Sequence, residues 1–222
     1  SIQKYNDIDA IVYGDDQIDK SVIRLLKSKG IKLIIKWGIG LDSIDLSECN
    51  KLNIKVKNTP GVFSNEVGDM GMALLLSLIR KIPILDENTR KCDWGKKYSI
   101  TLEKKTVGII GFGSIGKSIE KRVKSFGTIV YYYDKIKSKK NYRSLDKILS
   151  ESNIIFICAP LNQSTKNLIS KKQFAKMKKR PFVINVARGG IVNEKDIIFA
   201  LNNKLIQGYA TDVYEEEPIK KK

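Results

Sequence analysis

Three groups of residues in this chain have types and spacings that do chemistry. Gly111-Phe-Gly113-Ser-Ile-Gly116 follows the β-type run Thr106–Ile110 without a gap. It opens a stretch at helical spacing, with Ile115, Ile119, Val123 and Phe126 on one side, and the next strand-like run, Thr128–Tyr133, ends on Asp134. A GxGxxG alone is weak, but between a strand and a helix, with an acid ending the following strand, it is a dinucleotide-binding fingerprint. Gly111 permits the tight turn, Gly113 lets backbone approach a pyrophosphate, and Gly116 lets the helix pack on the strand. The helix N-terminus then offers N–H groups and partial positive charge to the phosphates. Asp134 can accept from the adenosine ribose hydroxyls and would repel a 2′-phosphate, which favours NAD over NADP. Lys135, Lys137, Lys139 and Lys140 follow directly and pull the other way.

The second group is Ala187-Arg-Gly-Gly190, after the apolar run Phe182–Val186. An arginine on a glycine loop at a strand's carboxyl end, beside a bound nicotinamide, can hold a carboxylate through two parallel hydrogen bonds. The third is acidic: Asp212 ends a strand-like run, and Glu217 closes Tyr214-Glu-Glu-Glu-Pro218. Taken alone, Glu217 reads as a solvated turn.

Elements that position these groups alternate. Strand-like runs at Asp9–Tyr13, Ile31–Ile35 and Asn53–Lys57 are separated by helical patterns at Ile18–Lys27 and Leu46–Lys51. Pro60 and Gly61 then break the pattern, which makes a domain crossover. Ser64–Arg80 is apolar around most of its circumference, so it should be buried on more than one side. A polar segment near Arg90–Trp94 leads into the glycine turn. Further helices are expected at Ser144–Ser150, Lys171–Met177 and Glu194–Asn202, and strands at Asn153–Cys158, Phe182–Val186 and Gln207–Val213. This βα alternation predicts an α/β fold with parallel sheets. In such sheets ligands sit at the carboxyl ends of the strands, where Asp134, Pro160, Arg188 and Asp212 fall.

Composition narrows the classes. With 222 residues the chain can bury a real core. Its net charge of +17 comes from lysines scattered over nearly every helix and loop, not from one basic patch with interleaved aromatics. That argues against nucleic-acid binding and for a solvated surface that attracts small anions. Three cysteines (Cys49, Cys92, Cys158) show neither metal spacing nor a disulfide framework, which suits a cytoplasmic protein. The most apolar stretch, Met70–Ile79, is ten residues long, too short for a bilayer.

In these residues the chain resembles the D-isomer-specific 2-hydroxyacid dehydrogenases, in the phosphoglycerate dehydrogenase-like branch. The resemblance is carried by Gly38-Ile-Gly-Leu-Asp-Ser-Ile-Asp45, Asn58-Thr-Pro60, Arg90 with Trp94, Gly111–Gly116 with Asp134, Asn185–Gly190, and Asp212–Pro218. It implies a Rossmann-type doubly wound parallel sheet over 61–222, lacking its C-terminal end, and an incomplete flavodoxin-like substrate domain over 1–60. The cofactor would lie in the cleft between domains. It also implies hydride transfer between NAD(H) and a D-2-hydroxy or 2-keto acid, in a homodimer joined through Ser64–Arg80. By resemblance, Val67, Gly111, Gly113, Ser114, Ile115, Gly116, Asp134, Ala159, Pro160, Val186, Ala187 and Asp212 hold the dinucleotide. Trp37, Gly38 and Ile39 offer N–H groups to the acid, and Arg188 binds its carboxylate. Glu217 would hydrogen-bond a catalytic histidine and raise its pKa.

The chain departs from that pattern in two ways. It has no histidine, and the pattern puts one about a βα unit beyond Glu217, so the expectation is a fragment cut at both ends and weak in turnover. Tyr13 stands where phosphoglycerate-specific relatives carry an arginine that reaches a phosphate, and Lys36-Trp37 where smaller residues often follow an arginine, although Lys36 offers a substitute cation. A histidine-less chain also admits an NAD-binding scaffold or regulator without turnover.

Overall fold

The computed structural model describes residues 7–136 and 140–219, and the chain divides into two compact units, Ser1–Phe63 and Ser64–Lys222. Lys137 and Lys139 lie outside the described residues.

The first unit holds a parallel sheet of β1 (Ala10–Tyr13), β2 (Leu33–Lys36) and β3 (Lys55–Asn58) in that order, with helices α1 (Lys20–Ser28) and α2 (Leu46–Lys51). Asp19 and Asp45 cap the two helices by accepting from Val22 N and Glu48 N, both at 2.9 Å. Ile23, Leu26, Ile31, Ile34, Cys49 and Ile54 form its core. Each fully buried aliphatic side chain there stabilises the unit by about 1.5–3 kcal/mol.

The second unit begins with α3 (Ser64–Arg80) and α4 (Ile82–Arg90). A five-stranded parallel sheet follows, of β4 (Thr106–Ile110), β5 (Ile129–Tyr133), β6 (Ile154–Ile157), β7 (Phe182–Asn185) and β8 (Gly208–Thr211). Its order is β5-β4-β6-β7-β8, with α5 (Ser114–Lys124), α6 (Leu145–Glu151), α7 (Lys171–Phe174) and α8 (Glu194–Asn202) in the connections. Strands β6 and β7 are buried at every position, because apolar layers cover both faces of the sheet. One layer joins Met72, Leu75, Ile79, Ile119 and Val123 to the sheet; the other joins Ile148, Leu149, Phe174, Ile197 and Ala200.

Three expectations change. The helix α4 was not legible: Lys81 adopts the left-handed conformation (φ 57°), which ends α3, and Pro83 in the first turn starts a new helix with no buried residue. Within the chain α3 is buried on one side only, through Gly68, Gly71, Met72, Leu75 and Ile79, while Met70 stays 44% exposed. Phe126 falls past the end of α5 and is exposed, so the apolar face of that helix stops at Val123. Among the described residues no helix is long and apolar enough to cross a membrane.

Candidate active site

The last paired residues of the five strands form one row across the second sheet: Tyr133, Ile110, Ile157, Asn185 and Thr211. Every candidate of the second unit except Val67 follows that row by six residues or fewer. Asp134 follows β5, Gly111–Gly116 follow β4, Ala159 and Pro160 follow β6, Val186–Arg188 follow β7, and Asp212 follows β8. Val67 sits on α3, half-buried against the core.

Gly111 has φ +93°, and a Cβ there would lie 2.5 Å from Ala159 N, so the turn after β4 presses against the end of β6. Gly113 faces open space, with nothing within 4 Å of a Cβ built on it. It is also the N-cap of α5, where no side chain of the described residues caps the helix. An uncapped helix N-terminus behind an open glycine is a cradle for a phosphate, and the residues fit a dinucleotide. Asp134 is fixed beside this cradle: Oδ2 accepts from Phe112 N at 2.6 Å and Oδ1 from Ile136 N at 3.0 Å. A carboxylate accepts about four hydrogen bonds, so it retains capacity for the ribose hydroxyls. Lys135, next in the chain, and Lys140 are exposed.

Arg188 is half-buried in extended conformation (φ −153°, ψ 144°), and its Nη1 donates to Ala187 O at 2.8 Å. The Asp212 carboxyl is held above its ordinary range. Partial burial is the main cause, and the negative charge of Glu217 adds to it while the Arg188 guanidinium opposes it. Arg188 and Glu217 are therefore both within electrostatic reach of Asp212. Glu217 itself accepts from Tyr214 N at 2.7 Å. Cys158, just past the end of β6, is a half-buried thiol whose pKa desolvation pushes up.

In the first unit, two of the three loop N–H groups are already paired. Trp37 N donates to Tyr13 O at 2.9 Å and Gly38 N to Thr59 Oγ1 at 2.8 Å, which leaves that of Ile39. Trp37 is exposed and stacks obliquely near Phe63, ring centroids 5.9 Å apart. The Lys36 ammonium is turned into the first unit. The residue is 4% exposed, and its ammonium donates to Gly14 O, pairs with Asp15 at 2.9 Å and lies over the Tyr13 ring.

Sequence reasoning gave no separate role to Asn185 and Thr211, which tie the ends of β7 and β8 together. Asn185 is wholly buried, and its backbone oxygen accepts from Thr211 Oγ1 at 2.9 Å. The available signal was one asparagine inside the otherwise apolar run Phe182–Ala187.

Fold and glycine cradle together define a dinucleotide-binding oxidoreductase domain. Residues 72–222 match the family model described as D-isomer specific 2-hydroxyacid dehydrogenase, NAD binding domain, and the chain belongs to that family. Its cofactor is NAD, and the family's activity is hydride transfer between NAD(H) and a 2-hydroxy or 2-keto acid. Glyoxylate reductase of Thermococcus litoralis is 33% identical over 98% of this chain and 70% of its own length. That of Pyrococcus furiosus is 32% identical over 98% and 69%. Among solved structures, a glyoxylate reductase from Paecilomyes thermophila superposes with TM-score 0.90 at 28% identity, covering 97% of this chain and 70% of that one. D-lactate dehydrogenase from Aquifex aeolicus, complexed with NAD and lactic acid, gives 0.87 at 26%, covering 98% and 68%.

Proposed function

We propose that this chain binds NADH and serves the reduction of a short, unphosphorylated 2-keto acid of the glyoxylate or pyruvate class. The observation that carries this reading is Arg188, placed on the same row of strand ends as the glycine cradle and Asp134. In it, Gly111, Gly113, Ser114, Ile115 and Gly116 hold the pyrophosphate, Asp134 the adenosine ribose, and Val67, Ala159 and Pro160 the walls. Asp212 and the backbone of Val186–Ala187 hold the carboxamide. When bound, the nicotinamide supplies the hydride that reaches C2 of the acid. Arg188 grips the carboxylate through two charge-assisted hydrogen bonds and polarises the keto oxygen. The first unit is the substrate-binding domain, contributing the N–H of Ile39 beside Trp37 and Gly38. With the Lys36 ammonium engaged inside that unit, a phosphorylated acid is disfavoured.

Proton transfer to the developing hydroxyl is the step these 222 residues serve worst, since they include no histidine. Glu217 is set to orient such a group, not to replace it. Turnover by this chain alone is then lowered by about two to four orders of magnitude. The same absence favours a second reading, an NAD-binding scaffold or regulator without turnover. Calorimetric titration of NADH, followed by oxamate as an unreactive keto-acid mimic, tests the binding roles. Oxamate affinity that survives Arg188→Ala would remove that arginine from the site. Absorbance at the NADH band during incubation with glyoxylate separates a slow enzyme from a scaffold.

The three cysteines are unpaired, as a cytoplasmic location would have them. A homodimer is part of the same reading. An open apolar groove of about 640 Å³ is lined by Leu74, Leu78, Ile84, Ile197, Ile198 and Leu201. Exposed apolar side chains gathered on one face suit an association site, and a second copy is its proposed occupant.

A further inference from the structure

We propose that Asn185 is a positioning residue whose buried carboxamide sets where the Arg188 guanidinium points. It thereby sets affinity for the acid's carboxylate and leaves the pyrophosphate and ribose cradle of the dinucleotide untouched. The inference rests on the carboxylate-binding role of Arg188 given above.

Asn185 ends β7 with no exposed surface, at a point where the chain must leave the sheet and present an arginine. Its two functional ends grip two consecutive residues of the departing loop. Oδ1 accepts from Ala187 N at 3.1 Å, and Nδ2 donates to Arg188 O at 3.0 Å. The second N–H of the carboxamide is directed at Tyr209 Oη, 3.4 Å away on β8. Every donor of the side chain is thus assigned, and the loop is wound around it.

The consequence for Arg188 is geometric. Pairing at Ala187 N and at Arg188 O fixes the 186–187 and 188–189 peptide planes, which bracket residues 187 and 188, and so restricts the direction of the Arg188 Cα–Cβ bond. The guanidinium is further tethered by Nη1 to Ala187 O, on the very residue that Asn185 holds. A bidentate clamp tolerates little angular error, so a loosened loop costs carboxylate affinity before it costs anything else. The dinucleotide cradle after β4 shares none of these bonds. An apolar residue at 185 would leave a buried N–H and a buried C=O unpaired, whereas aspartate keeps the acceptor and loses the donor.

Aspartate supplies a test that a merely structural role would not pass. Oxamate is titrated into the NADH-saturated chain at pH 7.5 and pH 5.5, with wild type, Asn185→Asp and Asn185→Ser compared and NADH affinity measured for each. For Asn185→Asp the expected result at pH 7.5 is oxamate binding weakened at least tenfold relative to wild type, with NADH affinity within about threefold. At pH 5.5 the gap should narrow, because burial raises the carboxyl's pKa and the protonated form again offers a donor to Arg188 O. Asn185→Ser, too short to serve both partners, should be weakened at both pH values. If Asn185→Asp does not fold at pH 7.5, the serine variant decides, and unchanged oxamate affinity there overturns the proposal. So does a gap indifferent to pH, or a loss shared equally by NADH and oxamate. Wild type that takes NADH but not oxamate defeats the role of Arg188 and this inference with it. Wild type and both variants binding oxamate alike defeats this inference alone.

Discussion

Gly189 lies so close to Tyr214 that a Cβ on it would overlap the tyrosine's carbonyl and the following amide of Glu215. The arginine loop after β7 and the acidic turn after β8 are therefore packed backbone to backbone. Reciprocal bonds between Glu194 and Glu215 hold the second of them: Glu215 N donates to Glu194 Oε1 at 2.8 Å, and Glu194 N to Glu215 Oε1 at 3.4 Å. Because the obstacle is backbone, it cannot swing aside as a side-chain tip can. Gly189→Ala should destabilise the second unit by about 1–3 kcal/mol, the usual cost of overpacking. At about 2–4 °C per kcal/mol in a chain of this size, thermal melting will register it. Oxamate affinity should fall as well, since Arg188 precedes the displaced residue.

Asp134 carries a prediction about cofactor choice. Its carboxylate already accepts from Phe112 N and Ile136 N, so it is oriented before any ligand arrives. Hydrogen bonds to a charged group contribute about 1.5–3 kcal/mol. Asp134→Ala should therefore weaken NADH by roughly ten- to a hundredfold, at 1.4 kcal/mol per decade. NADPH should be far less affected, because the variant also loses the charge that repels a 2′-phosphate. Parallel titrations of both nucleotides measure the ratio. An equal loss for the two would mean that Asp134 only braces the glycine turn.

The residues that announce this site in the sequence are those whose chemistry is local. Gly111–Gly116 and Asp134 are legible because strand, turn, helix and strand follow in one short stretch. Arg188 is legible because a glycine loop after an apolar run has few other uses. What could not be read depends on contacts distant in the chain. Nothing near Gly189 says that Tyr214, twenty-five positions on, will lie against it. Lys36 looked available to a phosphate until the fold brought Gly14 and Asp15 under its ammonium. α4 was missed for a different reason: its apolar residues Ile82, Ile84 and Leu85 all fall in its first turn, so no apolar period runs along the helix.

Asp212 gives the pH dependence. Its carboxyl has a folded pKa raised above the ordinary 3.8, chiefly by partial burial and next by Glu217. A group raised in this way holds its proton more firmly in the folded state. Its contribution to stability is complete below the unfolded value and is lost as pH rises through the folded one. At neutral pH the ionised Asp212 is therefore a cost that the chain carries, and its proposed use is to hold the nicotinamide carboxamide. Asp212→Asn should be at least as stable as wild type in urea at pH 7, and should show no such advantage near pH 3. NADH affinity should drop in the same variant. Greater stability together with weaker cofactor binding would mark a residue kept for function.

The apolar groove between α3, α4 and α8 supplies the last prediction. Ile84 and Ile198 line it and are 49% and 59% exposed in the single chain, so neither is needed for the core of its own unit. A charge introduced at either place meets water in a monomer. In a dimer it would be buried without a partner, at a cost of several kcal/mol. Ile198→Glu and Ile84→Glu should thus leave the urea midpoint of the isolated chain nearly unchanged and convert a dimer into monomer. Sedimentation equilibrium of wild type and the two variants reads this directly. Wild type that sediments as a monomer at high micromolar concentration would remove the second copy from the groove. Dimers that persist in both variants would move the interface to another face. The half-buried Leu74 and Leu78 of α3, which line this groove, argue against that outcome.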